Sequence, residues 1–284
     1  MSTIKMPVSS PRQLKDRIKN LAKENNLPAN AVLQNFMMER FLERIAVSRY
    51  RNNFILKGGF LIAAMVGIDM RSTMDMDTTL KGIPVNESEI KKIITEILNT
   101  SVNDNVYFEM DSVQPIHDSG EYNDFRIGLT ATFFTMKIKV KLDITTGDSI
   151  IPSEIDYSYK LMFENRDISI KAYNLQTILA EKIESILARN VTNTRLRDYY
   201  DVYILLSTRH FEMQKSDIQT AVRQKSEERG TTIYVENYMK YLDDIRISSD
   251  LSSLWDSYAK KYPYSSGISF DAIIEKIGSV LSGI

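Results

Sequence analysis

The feature that most limits how this chain can fold is a strict alternation of apolar and polar residues in the segment MKIKVKLDIT, residues 136–145. Its aliphatic side chains are Ile138, Val140, Leu142 and Ile144. Its charged side chains are Lys137, Lys139, Lys141 and Asp143. Because successive residues of a strand point to opposite faces, the alternation predicts a β-strand with one face in a core and one polar face. The segments NVYFEM and FRIGLTATFF come shortly before it and are predicted as further strands.

Helical periodicity dominates both ends of the chain. Ser10 followed by Pro11 predicts a helix start, and a second helix after LPAN completes an N-terminal helical hairpin. Between the hairpin and the strands above, FILKGG and RSTMDMDTTL are predicted as strands and FLIAAMVG and NESEIKKIITEILNT as helices. From Leu175 onward the pattern is helical. We therefore predict an α+β fold, with a mixed β-sheet flanked by helices in residues 1–168 and a C-terminal helical bundle in residues 169–284.

Composition excludes several classes of protein. The chain has 284 residues and no cysteine, which excludes disulfides and thiolate metal sites and is typical of a reducing cytoplasm. Lys and Arg number 36 against 37 Asp and Glu, so overall basicity does not indicate a nucleic-acid partner. We find no apolar run of about 18 residues and no apolar N-terminal signal segment. These observations predict a cytoplasmic protein with no membrane partner.

Three aspartates are candidates for a metal site. Asp75 and Asp77 are two residues apart in a predicted strand and therefore face the same way, and Asp143 lies on the polar face of its own strand. If these strands are neighbours, the carboxylates converge, and a divalent cation would relieve their repulsion. The alternative is that each aspartate is solvated or pairs with a lysine of the 136–145 strand. That alternative is preferred for any single aspartate, whereas the three together favour a metal.

Glycines and cations supply a candidate phosphate site. Gly58 and Gly59 leave a strand and enter a helix, and N–H groups at a helix N-terminus suit phosphate, although most glycine pairs are merely turns. Lys182 lies on the next long helix, and Arg195 and Asp198 share a side of the one after it. A cationic face opposite three carboxylates would fit a metal–triphosphate. Alternatively, Lys182 is an ordinary surface lysine and Asp198 only favours the helix dipole.

Three segments, in this order and spacing, resemble the AbiEii toxins: FILKGGFLIAAMVGIDMRSTMDMD, KLDITTGD and AEKIESILARNVTNTRLRDYYDVYIL. These toxins belong to abortive-infection type IV toxin–antitoxin systems of phage defence and to the DNA polymerase β-type nucleotidyltransferase superfamily. The resemblance covers most of residues 10–210 and implies a nucleotidyltransferase domain within residues 1–168. It implies Mg²⁺-dependent transfer of a nucleoside monophosphate from a nucleoside triphosphate to an acceptor, with tRNA the preferred acceptor. It also implies a cognate antitoxin that acts mainly at the operon, without a tight complex.

The resemblance also implies residue roles. The implied metal ligands are Asp75, Asp77 and Asp143, and the implied catalytic residues are these three with Lys182 and Asp198. The implied nucleotide-binding residues are Lys57, Gly58, Gly59, Arg71, Ser72, Lys182 and Arg195. Many superfamily members have Gly-Ser in the glycine loop, but here Gly59 is followed by Phe60, so a hydroxyl contact would have to come from Ser72 or Thr73. Two other functions stay open, namely a nucleotidyltransferase with a small-molecule or protein acceptor and a non-catalytic nucleotide-binding interaction module.

Overall fold

The computed structural model describes residues 7–71, 73–83, 86–116 and 124–284, so the predicted nucleotide-binding residue Ser72 lies outside the described residues. The chain divides into two compact units. The first consists of Met1–Asp148 and Glu154–Ala172, and the second of Ser149–Ser153 and Tyr173–Ile284. Within the described ranges, none of the helices combines the length and the apolar character that crossing a bilayer requires.

The first unit begins with the predicted helical hairpin, which is confirmed. Helix α1 spans Pro11–Glu24 and helix α2 spans Ala29–Val47. The Ser10 hydroxyl accepts the Gln13 N–H at 3.3 Å, and Pro11 occupies the first helical position, where its missing N–H costs nothing. Leu14, Ile18 and Ala22 form the buried stripe of α1 at helical spacing.

Within the described residues, a mixed sheet of seven strands forms the centre of the first unit. Its strands are β1 (Phe54–Lys57), β2 (Asp75–Leu80), β3 (Val106–Pro115), β4 (Phe125–Phe133), β5 (Met136–Thr146), β6 (Ile155–Lys160) and β7 (Asp167–Ala172). They lie in the order β3-β4-β5-β2-β1-β7-β6, with β2–β5 and β1–β7 parallel and the other neighbours antiparallel. Helices α3 (Gly58–Val66) and α4 (Glu87–Leu98) flank the sheet. The α+β fold class is therefore confirmed.

The alternation in β5 separates a core face from a polar face, as its sequence predicts. Val140, Leu142 and Ile144 are buried, whereas the three lysines of the opposite face, Lys137, Lys139 and Lys141, are exposed. The strand β6 is not evident from its sequence, IDYSYK, which is largely polar. It lies at the edge of the sheet, where one side needs no partner strand and the apolar pattern can be weak.

Helix α2 carries a buried network of charges in the first unit. Arg40 is 1% exposed and forms ion pairs with Glu39 at 2.6 Å, Glu43 at 3.0 Å and Glu164 at 2.7 Å. Burial raises the pKa of the Glu39 carboxyl from 4.5 to about 7, and the nearby Arg40 charge offsets only part of that rise. Close to neutral pH, this carboxyl therefore loses its proton more readily in the unfolded chain than in the folded one.

We expect Glu39 to make the protein less stable as the pH rises. Its pKa is higher in the folded state, so its contribution is fully present below pH 4.5 and is lost as the pH rises through about 7. Glu39→Gln should flatten the pH dependence of the free energy of unfolding across this window. Urea unfolding midpoints of both proteins at pH 5, 6, 7 and 8 measure this. An unchanged slope in the variant would show that another group causes the dependence.

The second unit is a helical bundle. Its α-helices are α5 (Leu175–Arg189), α6 (Leu196–Thr208), α7 (Lys215–Glu228), α8 (Thr232–Glu236), α9 (Tyr238–Ile247), α10 (Ser249–Lys261) and α11 (Phe270–Leu281). Asn174 caps α5 by accepting the Thr177 N–H at 2.8 Å. The segment IYVENYMKYLDDI has a helical pattern throughout but forms two helices, because the backbone leaves helical geometry at Asn237. Trp255 is 1% exposed and donates its indole N–H to the Ile268 carbonyl at 2.8 Å, which anchors α10 to the segment before α11.

Candidate active site

Strand register brings the three predicted carboxylates to one face of the sheet. In the parallel β2–β5 pair, Asp77 lies directly opposite Asp143. Asp75 is two residues before Asp77, on the same face, and lies opposite Lys141. The condition for convergence, that the two strands are neighbours, is therefore met. Asp75 is exposed and Asp77 and Asp143 are partly exposed, so a ligand from solvent can reach them.

A guanidinium lies at this cluster. Arg126 of β4 is opposite Asp143 in the antiparallel β4–β5 pair. It donates from Nε at 2.8 Å and from Nη2 at 2.7 Å to the two carboxylate oxygens of Asp143. The hydrogen bonds with Asp143 are the main reason that the Arg126 pKa is raised, and the charges of Asp75 and Asp77 add to the effect. The cation that pairs with Asp143 is thus an arginine of the neighbouring strand, while Lys139 pairs with Asp111 at 2.9 Å.

The carboxylates fit a divalent cation in their chemistry. Carboxylate oxygens are the hard ligands that Mg²⁺ prefers, and aligned strands supply them from two directions. Among the described residues, no three His, Asp or Glu side chains are already grouped as a metal site. In this structure both carboxylate oxygens of Asp143 are engaged with Arg126. The two oxygens keep further lone pairs, but the positive charge of Arg126 opposes binding of a second cation at Asp143.

The glycine pair fits closely against the carboxylates. Gly58 begins α3 directly after β1 with φ +67°, a conformation that favours glycine, and a Cβ there would overlap the carboxyl group of Asp77. A Cβ at Gly59 would lie 2.7 Å from Nη2 of Arg71 and 3.1 Å from Oγ1 of Thr73. The start of α3 therefore lies against Asp77, and Thr73 places a hydroxyl beside Gly59. The backbone N–H groups of this turn are the candidates for hydrogen bonds to phosphate oxygens.

Lys57 lies on the same face but is engaged with an acid. It is opposite Asp77 in the β1–β2 pair, and its Nζ contacts Oγ1 of Thr145 at 2.6 Å and the carboxylate of Asp148 at 2.5 Å. Burial raises the pKa of Asp148, but the Lys57 charge and the hydroxyls of Thr145 and Thr79 more than offset it, so that pKa lies well below its usual range. The nucleotide-binding role of Lys57 stays a prediction.

Lys182, one of the two predicted cationic residues of the second unit, forms two ion pairs within that unit. Lys182 of α5 contacts Asp198 at 2.7 Å and Asp201 at 2.8 Å, both on α6. Its side chain is 14% exposed, so it is not the ordinary surface lysine of the alternative interpretation. Burial lowers its pKa, but the charges of Asp201 and Asp198 outweigh burial, so the pKa is raised and the ammonium stays charged. Arg195, at the N-terminal end of α6, is exposed.

The sequence analysis missed Arg126, and a signal for it exists. The β4–β5 hairpin turns just after Phe133, where Phe134 adopts φ +54°, and Phe133 pairs with Met136. Counting back from this tight turn places Arg126 opposite Asp143. Asp148 was also missed, and it has no such signal, because it lies in the segment after β5 rather than on a strand.

Comparison with known families then decides the identity. Residues 40–276, well over half of the chain, match the model described as nucleotidyl transferase AbiEii toxin, type IV TA system. The chain belongs to the AbiEii toxin family. It is therefore a nucleotidyltransferase toxin, and membership implies a nucleoside triphosphate substrate and a cognate antitoxin. Nucleotidyltransferases of this kind generally use a divalent metal.

Solved structures share the fold of this AbiEii-family protein. MenT4, a nucleotidyltransferase toxin from Mycobacterium tuberculosis H37Rv, aligns over 97% of this chain and 99% of its own, with TM-score 0.55 and 11% identity. A structure from H. pylori, described as a proposed nucleotidyltransferase, aligns over 90% of this chain and 95% of its own, with TM-score 0.51 and 14% identity. At such identities the likeness establishes the fold alone. No curated protein sequence matches the chain.

Proposed function

We propose that this AbiEii-family toxin is a Mg²⁺-dependent enzyme that transfers a nucleoside monophosphate from a nucleoside triphosphate to tRNA. The observation that carries the proposal is the register of β2 and β5, which sets Asp77 opposite Asp143, with Asp75 on the same face and Gly58 against Asp77. We place the enzyme in an abortive-infection system of phage defence, acting in the cytoplasm. Its antitoxin would act mainly at the operon, without a tight complex.

The carboxylates would hold the metal. Asp75, Asp77 and Asp143 supply oxygen ligands, and bound Mg²⁺ would supply neutralisation of the phosphate charge. The turn at Gly58 and Gly59 supports binding of the triphosphate, because backbone N–H groups at the start of α3 are suited to phosphate oxygens. The Thr73 hydroxyl beside Gly59 could make the contact that a loop serine makes elsewhere in the superfamily. Ser72, the other candidate, lies outside the described residues.

Charge and position would do most of the catalytic work. In the proposed reaction, a hydroxyl oxygen of the acceptor bonds to the α-phosphorus, and the bond from that phosphorus to the oxygen bridging to the β-phosphate breaks. Pyrophosphate leaves with that oxygen. Asp143, once released by Arg126, is the group assigned to accept the hydroxyl proton. Holding the acceptor in line and neutralising the triphosphate account for most of the rate.

Cationic residues complete the assignment. Lys182, which Asp198 and Asp201 hold charged within the second unit, is assigned to neutralise the triphosphate, with Asp198 as its positioning partner. Arg71, buried beside Gly59, and the exposed Arg195 are assigned to nucleotide binding. For Lys57, the same assignment requires that the ammonium act while paired with Asp148, because that pair is largely buried.

The experiment that tests the proposal identifies donor and acceptor together. Purified protein is incubated with Mg²⁺, total tRNA and each α-labelled nucleoside triphosphate in turn, beside Asp75→Ala. We expect label on tRNA with one nucleotide and none with the variant, since the variant lacks one carboxylate of the cluster. Omitting Mg²⁺ should also abolish labelling. Equal labelling by Asp75→Ala would contradict the assigned mechanism.

A small-molecule or protein acceptor is the second candidate. It is favoured by the net charge of −1, which provides no overall attraction for RNA. It uses the same carboxylates, so Asp75→Ala would be inactive under either function. Labelled product that forms equally well after ribonuclease treatment of the mixture would favour this candidate and count against tRNA.

A further inference from the structure

Arg126 occupies the position of a cation in the carboxylate cluster. Strand pairing places β4 on the far side of β5 from β2, so Arg126 approaches Asp143 from the side opposite Asp77. Two hydrogen bonds of 2.8 and 2.7 Å join its guanidinium to both oxygens of Asp143. Bidentate arginine–carboxylate pairs of this kind fix geometry as well as charge. The orientation of Asp143 in this structure is therefore set by Arg126.

The electrostatics of the face favour this pairing. Three carboxylates on one face of adjacent strands repel one another, and a positive charge among them lowers the energy of the folded state. The guanidinium of Arg126 bonds both oxygens of Asp143, and Asp143 lies directly opposite Asp77 on the adjacent strand, so the positive charge is next to the cluster. A divalent cation would interact with the same three carboxylates. Arginine and metal therefore compete for Asp143.

The pair is also arranged so that it can separate. The Arg126 side chain is 50% exposed and that of Asp143 is 19% exposed, so water can solvate the guanidinium when the pair separates. Lys182 provides the contrast, since its side chain is 14% exposed and two aspartates contact it. Arg126 can therefore move into solvent, at a modest cost that weakens metal binding unless other ligands of the metal offset it.

We propose that Arg126 is a positioning residue that holds Asp143 away from the metal until metal and nucleotide arrive together. The inference rests on the proposed function, because it presupposes a divalent cation at Asp75, Asp77 and Asp143. Metal alone must displace the guanidinium with few compensating contacts and therefore binds weakly. Metal that arrives with a triphosphate brings phosphate oxygens as additional ligands, which offset that cost.

The test measures binding of Mg²⁺ alone to nucleotide-free protein by calorimetry. Arg126→Gln removes the competing cation and should bind Mg²⁺ roughly fivefold more tightly than wild type. Lys139→Gln is the matched control, because it removes one positive charge from the same face of the sheet, where Lys139 pairs with Asp111 at 2.9 Å. Its affinity should stay within about twofold of wild type, since it does not contact the cluster. A merely structural role for Arg126 would give the opposite sign, with weaker binding in Arg126→Gln.

Arg126→Lys provides a second variant that keeps the charge but not the bidentate geometry. It should bind Mg²⁺ with an affinity between those of wild type and Arg126→Gln, and it serves in place of the glutamine variant if that protein does not fold. If Arg126→Gln gains no more Mg²⁺ affinity than Lys139→Gln does, the inference is overturned and the proposed function still stands. Mg²⁺ binding to none of the proteins would overturn both the inference and the metal role. If Arg126→Gln binds Mg²⁺ more tightly but the wild-type protein labels no tRNA, the result supports the inference and counts against the tRNA acceptor.

Discussion

Asp77→Asn is expected to lower the rate of nucleotidyl transfer on the order of 10³-fold while the protein stays folded. Asparagine keeps the shape of the side chain, so the close approach of Gly58 is preserved, but it removes the charge that lies opposite Asp143. A neutral amide oxygen is a poorer ligand for a divalent cation than a carboxylate. Initial rates of label transfer at saturating nucleotide, with equal amounts of folded protein, measure the loss.

Asp111→Asn is the matched control for Asp77→Asn. It makes the same chemical change on β3, where the Asp111 carboxylate contacts Lys139 and Thr130 instead of the cluster. Its rate should stay within roughly twofold of wild type, because a surface substitution away from the cluster has a small effect. The unfolding midpoint of Asp77→Asn is measured beside its rate, so that a loss of activity is distinguished from a loss of folding. If Asp77→Asn keeps a tenth of the wild-type rate or more, Asp77 is not a metal ligand.

The candidate site is partly predictable from the sequence, because its strands alternate between apolar and polar residues. The pattern in residues 136–145 identifies β5 and assigns Asp143 to the polar face, and the spacing of Asp75 and Asp77 places both on one face of β2. The sequence does not show in the same way that β2 and β5 are neighbouring strands. These strands are parallel and joined by a long crossover that contains two other strands, so their pairing depends on tertiary packing. The short β4–β5 hairpin, in contrast, fixes its register locally.

Helix α2 shows where pattern reasoning fails. Its apolar residues recur at helical spacing and predict the helix, but they give no sign that Glu39, Arg40, Glu43 and Arg44 are buried as well. Charged residues are ordinarily placed at the surface, and these are buried because partners from distant segments contact them. Arg44 pairs with Asp104 at 2.7 Å and Arg40 with Glu164 at 2.7 Å. Such contacts join residues far apart in sequence, and one sequence does not reveal them.

Arg40→Met is expected to lower the free energy of unfolding by about 3–5 kcal/mol, because it breaks a buried ion pair network by removing the cation alone. Three buried carboxylates lose their contacts with the guanidinium, at 2.6 Å for Glu39, 3.0 Å for Glu43 and 2.7 Å for Glu164. Arg166 still pairs with Glu43 and Glu164, so Glu39 suffers the largest loss. The loss is large against a typical total of about 5–15 kcal/mol. Urea unfolding at pH 8 measures it.

Arg49→Met provides the comparison that isolates burial as the cause of the Arg40 effect. Arg49 also pairs with a glutamate, at 2.6 Å, but its side chain is 68% exposed, so its replacement should cost less than about 1 kcal/mol. The Arg40→Met deficit should also shrink at pH 5, because a buried carboxyl that lacks its cation takes up a proton and avoids an unpaired charge. Equal losses for the two variants would mean that the network on α2 contributes no more than a surface ion pair. A deficit independent of pH would instead attribute the loss to packing, since Arg40 also lies 5.3 Å from the ring centroid of Phe36.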